Sequence, residues 1–296
     1  MDRAGRWVDR ALAAHAGALY LFLYVPIALV VLFSFNDGTR TGELRGLSLR
    51  WYQYALDNPF AMGALGNSVV VGAWTAVIAT TFGTFAALAL QRAPRPVRAV
   101  FEAVTYVAII IPGIVIGIAT LIFFVNAFAW SNARLADLWA TLGLAGPPML
   151  GTGIHTIVAA HVLFTMAIVI VLVRTRLAGM DRSLQEASFD LFAPPWRTFW
   201  QVTLPQLRPA IIAGGLLAFT FSFDDYVIAS FVAGPGKPTL PMYVFSSIRR
   251  GITPEINAIA SMVLALSLAL LLLAWLVYRR SIRVAPTAVR DMPASR

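Results

Sequence analysis

The 296-residue sequence is 59% hydrophobic and only 12% charged, with a formal net charge of +9 and no cysteine. A soluble domain carries about 25% charged residues, so half the charge needed for a wetted surface is missing and a soluble fold is excluded. The surplus arginine sits in short segments between apolar runs, not on one solvated face, which argues against nucleic acid; the lack of cysteine removes thiol and Cys–zinc chemistry.

The first residues, "MDRAGRWVDRALAA", space Trp7, Val8, Ala11 and Leu12 between arginines. That pattern suits either a helix lying in the membrane interface or a disordered leader; residues 1–16 are read as a cytoplasmic N-terminal segment. The apolar core that follows is too long for a secretory signal and no small-residue cleavage site follows it, so an uncleaved first span is expected. Six apolar windows emerge, at about 17–35, 68–90, 103–127, 154–173, 209–231 and 256–278. Each is close to the ~20 residues a spanning helix needs, and in lipid the backbone must satisfy itself internally. The period-two alternation of a membrane barrel is absent. The expectation is an all-α, polytopic protein with six transmembrane helices over 17–281 and a tail over 282–296.

With both termini on one side, sixteen of the 23 basic residues fall on that side and seven on the other. The positive-inside rule puts the termini in the cytoplasm. The turn "QRAPRPVR" (Gln91–Arg98) and the segment Leu184–Leu207 are then cytoplasmic, and the loops 36–66, 130–152 and 233–255 are outer, long enough to shape a docking surface. No internal repeat suggests the inverted halves of a secondary transporter.

The cytoplasmic segment "LQEASFDLFAPPWRTFWQVTLPQL" stands out in so apolar a chain. Ser183 with Glu186 three residues later has capping-box spacing, which predicts a helix over 183–192. Pro194-Pro195 stops it. A second helical stretch is expected over Trp196–Val202, with Leu204-Pro205 breaking it before the fifth span. An amphipathic projection of this kind must bury its apolar side, and a cytoplasmic partner is the natural candidate.

The order Glu186-Ala187-Ser188, Phe192 and Val202-Thr203-Leu204-Pro205 resembles the EAA loop of permease subunits of bacterial ABC importers, whose pattern is E-A-A, three residues, G, nine residues, I-x-L-P. Ser188 departs from the second alanine. Phe192 stands where the family has glycine and replaces a flexible bend with bulk. "AFTFSFDDYVIASFVAGPGKPTLPMYVFSSIRRGITPEINAIAS" (Ala218–Ser261), "SLRWYQYAL", "NSVVVGAW" and "VRTRLAGMDRSLQEA" are similar to the second permease subunit of spermidine/putrescine-type systems. The resemblance covers nearly the whole chain. It implies the type I ABC importer permease fold, an inner-membrane location, and a coupling loop over 183–205. In it Glu186, Ala187, Ser188, Asp190, Leu191, Phe192, Pro194, Leu204 and Pro205 would meet an ATP-hydrolysing subunit. It further implies a homologous permease subunit, two cytoplasmic ATP-binding subunits and a periplasmic solute-binding protein as partners, membrane lipid as surroundings, and a polyamine as cargo. Another small solute, such as an amino acid or an opine, fits the same phrases.

Asp224 and Asp225 are the telling polar pair, with Tyr226 beside them. Ionisable residues at membrane depth face a bundle interior or water, and a cationic solute would favour carboxylates there; a structural pairing is the plain alternative. Read as consecutive helical residues they point about 100° apart, so one at most would face a pathway through spans three to five. Glu102 reads as a solvated end or an interfacial pair. His155 and His161 fall on different helix faces with no acidic cluster nearby, so no metal site is expected. Gly113 and Gly117 form a small-xxx-small packing motif behind Pro112, which suggests a kink. Trp130 and Tyr278 read as interfacial anchors. "AGPGKPT" lacks the spacing of a phosphate loop. No catalytic grouping and no cofactor site is visible. An ion-driven carrier would need charge relays in several helices and a membrane-embedded enzyme would need clustered polar groups; the chain offers only the aspartate pair.

Overall fold

The computed structural model describes residues 3–39, 43–181, 183–251 and 253–283; Arg40, Arg182, Arg290, Arg296, the tail from 284 and the side chain of Tyr278 lie outside the described residues. The elements in order are α1 (Arg3–Ser34), α2 (Arg50–Asp57), α3 (Pro59–Arg92), α4 (Arg95–Ile110), α5 (Gly113–Thr141), α6 (Ile154–Ala178), α7 (Ser183–Asp190) and α8 (Pro195–Thr198). A π-helical turn (Phe199–Thr203) then leads into α9 (Leu204–Asp224), α10 (Val227–Val232), α11 (Leu240–Arg250) and α12 (Pro254–Arg283). Among the described residues the β-structure is a single bridge between Asn36 and Leu47. Among the described residues six helical runs are long and apolar enough to cross a membrane: Trp7–Ser34, Pro59–Arg92, Gly113–Thr141, Ile154–Ala178, Pro195–Asp224 and Pro254–Leu276.

The number of spans is as expected, and three boundaries need correction. The leader is neither a separate interfacial helix nor disordered over its described residues, because it forms one helix with the first span from Arg3. No helix-breaking residue separates the two parts; Gly17 sits where an added Cβ would touch nothing within 4 Å. The third window is two helices. Ile111 (ψ 130°) and Pro112 (ψ 136°) are both extended, so α4 ends and α5 begins afresh. Proline disfavours the helical region for the residue before it, and the kink read at Pro112 is therefore a full break. The fifth span starts well before Pro209 and stops at Asp224.

Two compact units form. The first comprises Met1–Gly63 with Tyr243–Leu266. Its connection after α1 is organised by buried Asn36, whose side-chain oxygen accepts the Gly38 and Arg45 backbone N–H groups and whose amide donates to the Glu43 carbonyl at 2.7 Å. One side chain thus satisfies three backbone groups that would otherwise be orphaned. Asn58 caps α3, accepting from Phe60 and Ala61, while its amide donates to Tyr243 and to Glu255 at 2.7 Å.

The second unit comprises Ala64–Met242 with Ser267–Arg296. α6 is its centre and packs on α4, α5, α9 and α10. Val71, Ile157, Val158, Ala160, Ile228, Ala229 and Val232 form one buried cluster; Ala79, Ala87, Val169, Val173, Leu177, Leu207 and Ala218 form another. The alanines and glycines matter here, because lipid is as apolar as leucine and close backbone packing replaces hydrophobic drive. A Cβ at Gly117 would come within 2.6 Å of the Phe231 ring, which places the small-xxx-small motif in the α5–α10 contact. On the α3–α4 turn the Arg98 guanidinium donates to the carbonyls of Leu90 and Gln91, closing the end of α3.

At Gly83 of α3 an added Cβ would lie 2.9 Å from Val169 Cγ1 and 3.2 Å from the Met166 carbonyl of α6, whereas at Gly63 it would meet nothing within 4 Å. Gly83→Ala is therefore expected to cost about 1–3 kcal/mol through overpacking. Gly63→Ala should cost nothing, since alanine is the better helix former. Thermal unfolding of both variants in detergent checks this; equal midpoints would contradict the packing.

Candidate functional site

The polar segment after α6 is a folded-back lever. Asp181 Oδ1 accepts the Ser183 backbone N–H at 2.9 Å. That bond, with help from the Ser183 hydroxyl, holds the Asp181 carboxyl below the usual carboxylate range. α7 therefore begins at Ser183, which is its first helical residue and not the expected cap. A carboxylate two residues earlier is the better acceptor for the exposed N–H groups of a helix start. Glu186, Ala187 and Asp190 are exposed along α7, and Leu191 and Phe192 form its tip, with Phe192 95% exposed.

α7 ends in a paired closure: the Phe192 N–H donates to the Phe189 carbonyl at 2.8 Å and the Ala193 N–H to the Ser188 carbonyl at 3.1 Å. This is the Schellman arrangement, which calls for a left-handed residue at the first position past the cap. Phe192 supplies it at φ 57°. The bulk expected to replace the bend is instead carried on the bend, with its ring turned outward. Ser188 is also used, its hydroxyl lying 2.9 Å from that of Thr198, and Gln185 donates to Thr203 at 3.3 Å. α7 is thereby pinned to α8 and the π turn. Trp196, Phe199 and Trp200 pack edge to face or tilted, with Trp196 and Trp200 centroids 5.3 Å apart.

The expected break at Leu204-Pro205 does not occur. The chain is helical from Pro195 to Asp224. Pro205 lacks an N–H, and in a regular helix its ring would strike the carbonyl four residues back; the π turn over Phe199–Thr203 widens the helix just ahead of it and removes the conflict. Leu204 and Pro205 are half-buried at the start of α9, and Arg176 of α6 donates to the Gln206 carbonyl at 3.1 Å. Lever and span are one body.

At the far end of that body the aspartate pair divides. Asp224 is the last residue of α9, and its carboxylate accepts from the Ser267 hydroxyl of α12 at 2.9 and 3.1 Å. Asp225 is not helical; at ψ 125° it is extended, so the 100° argument does not apply to it. Its Oδ1 accepts the Ala229 N–H at 3.0 Å, which caps α10, and lies 3.2 Å from His161 Nε2. Tyr226 follows at the N-terminal end of α10. His161 is fully buried on α6, and its Nδ1 is 2.7 Å from the Ser222 hydroxyl of α9. Sequence reasoning weighed His161 only as a metal ligand and missed both it and Ser222; the available signal was a histidine within an otherwise apolar span. Glu102 of α4 is ion-paired with Arg174 of α6, and Trp130 stacks under Arg134. Among the described residues no group of three or more His, Asp or Glu side chains could hold a metal ion.

Six helices apolar enough to span among the described residues, a polar cluster where one of them ends, and a folded-back aromatic segment define the class: a polytopic membrane protein of all-helical fold. The chain belongs to the family of binding-protein-dependent transport system inner membrane components, whose model matches residues 79–283. It is 38% identical to the putrescine transport system permease protein PotI of Escherichia coli (strain K12), over 94% of this chain and 92% of that one. It is 32% identical to the spermidine/putrescine transport system permease protein PotC of Haemophilus influenzae, over 89% of this chain and 94% of that one. In fold it is similar to a bacterial ABC transporter involved in the import of the acidic polysaccharide alginate, with a TM-score of 0.68 at 14% identity over 95% of this chain and 96% of that one. The fold is thus that of type I ABC importer permeases, and the protein is a multi-pass inner-membrane permease.

The left-handed bend predicts a stability difference. Phe192→Gly should be about 1 kcal/mol more stable than Phe192→Ala, because alanine keeps the steric cost of positive φ and glycine does not. Chemical or thermal unfolding of the two variants in the same detergent measures it. Equal stabilities, or a more stable alanine variant, would mean that residue 192 is not left-handed.

Proposed function

We propose that this chain is one of two permease subunits of an ATP-driven importer for a small cationic solute, a polyamine such as putrescine or spermidine. The observation that carries the reading is the 38% identity with a putrescine permease along 94% of the chain. A periplasmic binding protein delivers the solute, a homologous permease subunit completes the pathway, and two cytoplasmic ATP-binding subunits drive it. Both termini are cytoplasmic, in line with the arginine distribution. This subunit hydrolyses nothing itself.

In this mechanism the lever is the coupling element. Glu186, Ala187, Ser188, Asp190, Leu191, Phe192 and Pro194 face the ATP-binding subunit, and Leu204 and Pro205 begin the span that moves with it. Exposure of Leu191 and Phe192 at the tip supports this role, since exposed aromatic and aliphatic side chains in water call for a partner. Closure of the ATP-binding subunits moves α7, α8 and α9 as a rigid body. At its other end Asp224, Asp225 and Tyr226 lie on the solute's path, where carboxylates offset the desolvation of ammonium groups. An ion-coupled carrier is the weaker reading, because it calls for charge relays in several helices, whereas Asp224 and Asp225 adjoin each other at the end of one.

Two variants test the two ends in the complex reconstituted with its binding protein. Glu186→Lys is expected to lower binding-protein-stimulated ATP hydrolysis about tenfold, the size of one lost contact to a charged group; unaltered stimulation counts against the coupling assignment. Replacing Asp224 and Asp225 together by alanine is expected to abolish putrescine uptake at normal expression. Uptake at the wild-type rate would remove the pair from the pathway.

A further inference from the structure

We propose that His161 is a positioning residue for solute passage, acting through Asp225; the inference rests on the reading that Asp225 lies on the solute's path. The carboxylate of Asp225 can only accept, so the proton between it and His161 belongs to Nε2, 3.2 Å away. In the tautomer with its single proton on Nε2, Nδ1 is the acceptor and the Ser222 hydroxyl, 2.7 Å away, donates to it. Both ring nitrogens have a partner in this one orientation. Its ring is held edge-on by Phe164, with centroids 6.0 Å apart, and it has no exposed surface.

The consequence falls on the carboxylate. Asp225 sits where α9 has ended and α10 has not begun, so no helical backbone fixes its direction. Two donors, His161 Nε2 and the Ala229 N–H, converge on Oδ1 alone. Oδ2 lies outside this network, on a side chain that keeps 16% of its surface exposed. Anchoring one oxygen and sparing the other presents a fixed negative charge to an ammonium group without neutralising it, which an arginine or a protonated lysine in the same place would do. Ser222 belongs to α9 and Asp225 directly follows its last residue, whereas His161 belongs to α6. The bond therefore joins the moving span to the centre of the unit at the solute's level.

The test is uptake of radiolabelled putrescine by the complete complex in proteoliposomes with its binding protein, the intact assembly being checked by size exclusion. His161→Ala is expected to lower the maximal rate about tenfold, as for one hydrogen bond to a charged group. His161→Gln keeps an N–H donor at the reach of Nε2 and is expected to restore the rate to within about threefold of wild type. Ser222→Ala, which leaves the packing in place, should lose a few-fold. In an Asp225→Asn background His161→Ala should cause no further loss, since a residue acting through another is non-additive with it. Wild-type rates in His161→Ala, no rescue by glutamine, or the same fold loss in both backgrounds would each overturn the proposal. Should Asp225→Asn itself transport normally, the pathway reading fails first; a slow Asp225→Asn with additive His161→Ala sinks only the positioning role.

Discussion

The structure depends on how the chain carries a helix through Pro205. A proline there removes a backbone donor and pushes against the preceding turn, and an ordinary helix would stop. The π turn over Phe199–Thr203 absorbs the conflict, so helical geometry persists from Pro195 to Asp224. A hinge at this point would let the projecting segment move without the span. A continuous body lets displacement at one end appear at the other, with ~1.5 Å of rise per residue and no slack.

The remaining interactions serve that continuity. Ser188 and Gln185 pin α7 back onto Thr198 and Thr203, and the closure at Phe192 stops α7 from unravelling at its tip. Arg176 ties the start of α9 to α6. Elsewhere in the unit small residues let helices approach closely: Gly83 of α3 against Val169 of α6, and Gly117 of α5 against Phe231 of α10. At the far end the body stops where a backbone break is covered by polar side chains, those of Asp225 and His161. Irregular backbone at membrane depth is tolerated only where protein or water satisfies it.

Hydropathy made the spans legible, because their composition follows from the cost of moving charge into lipid. The breaks were less so. Pro112 signalled a kink, but the loss of Ile111 from the helix depends on local sterics that hydropathy averages away. Pro205 read as a break and is none, since a π turn has no sequence signature of its own. The break at Asp225 carries no proline or glycine at all; one side-chain donor from α6, His161, supports it, and a partner 64 positions away cannot be seen by scanning neighbours. Phe192 shows the opposite case, a position where glycine would be the natural residue and the backbone keeps the glycine-like bend regardless.

The direct test of a rigid lever uses the absence of cysteine from this subunit, which lets spin labels be placed on it at chosen positions when it is labelled before assembly with its partners. With labels at Asp190→Cys on α7 and Ile212→Cys on α9, the distance between them is measured by pulsed electron paramagnetic resonance in the complete complex, without nucleotide and with ATP trapped. A single body predicts the same distance distribution in both states, within about 2 Å, well under the ~5.4 Å of one helical turn. A shift of a full turn or more, or a second population appearing with ATP, would show that the joint at Pro205 bends and that movement is not carried through it.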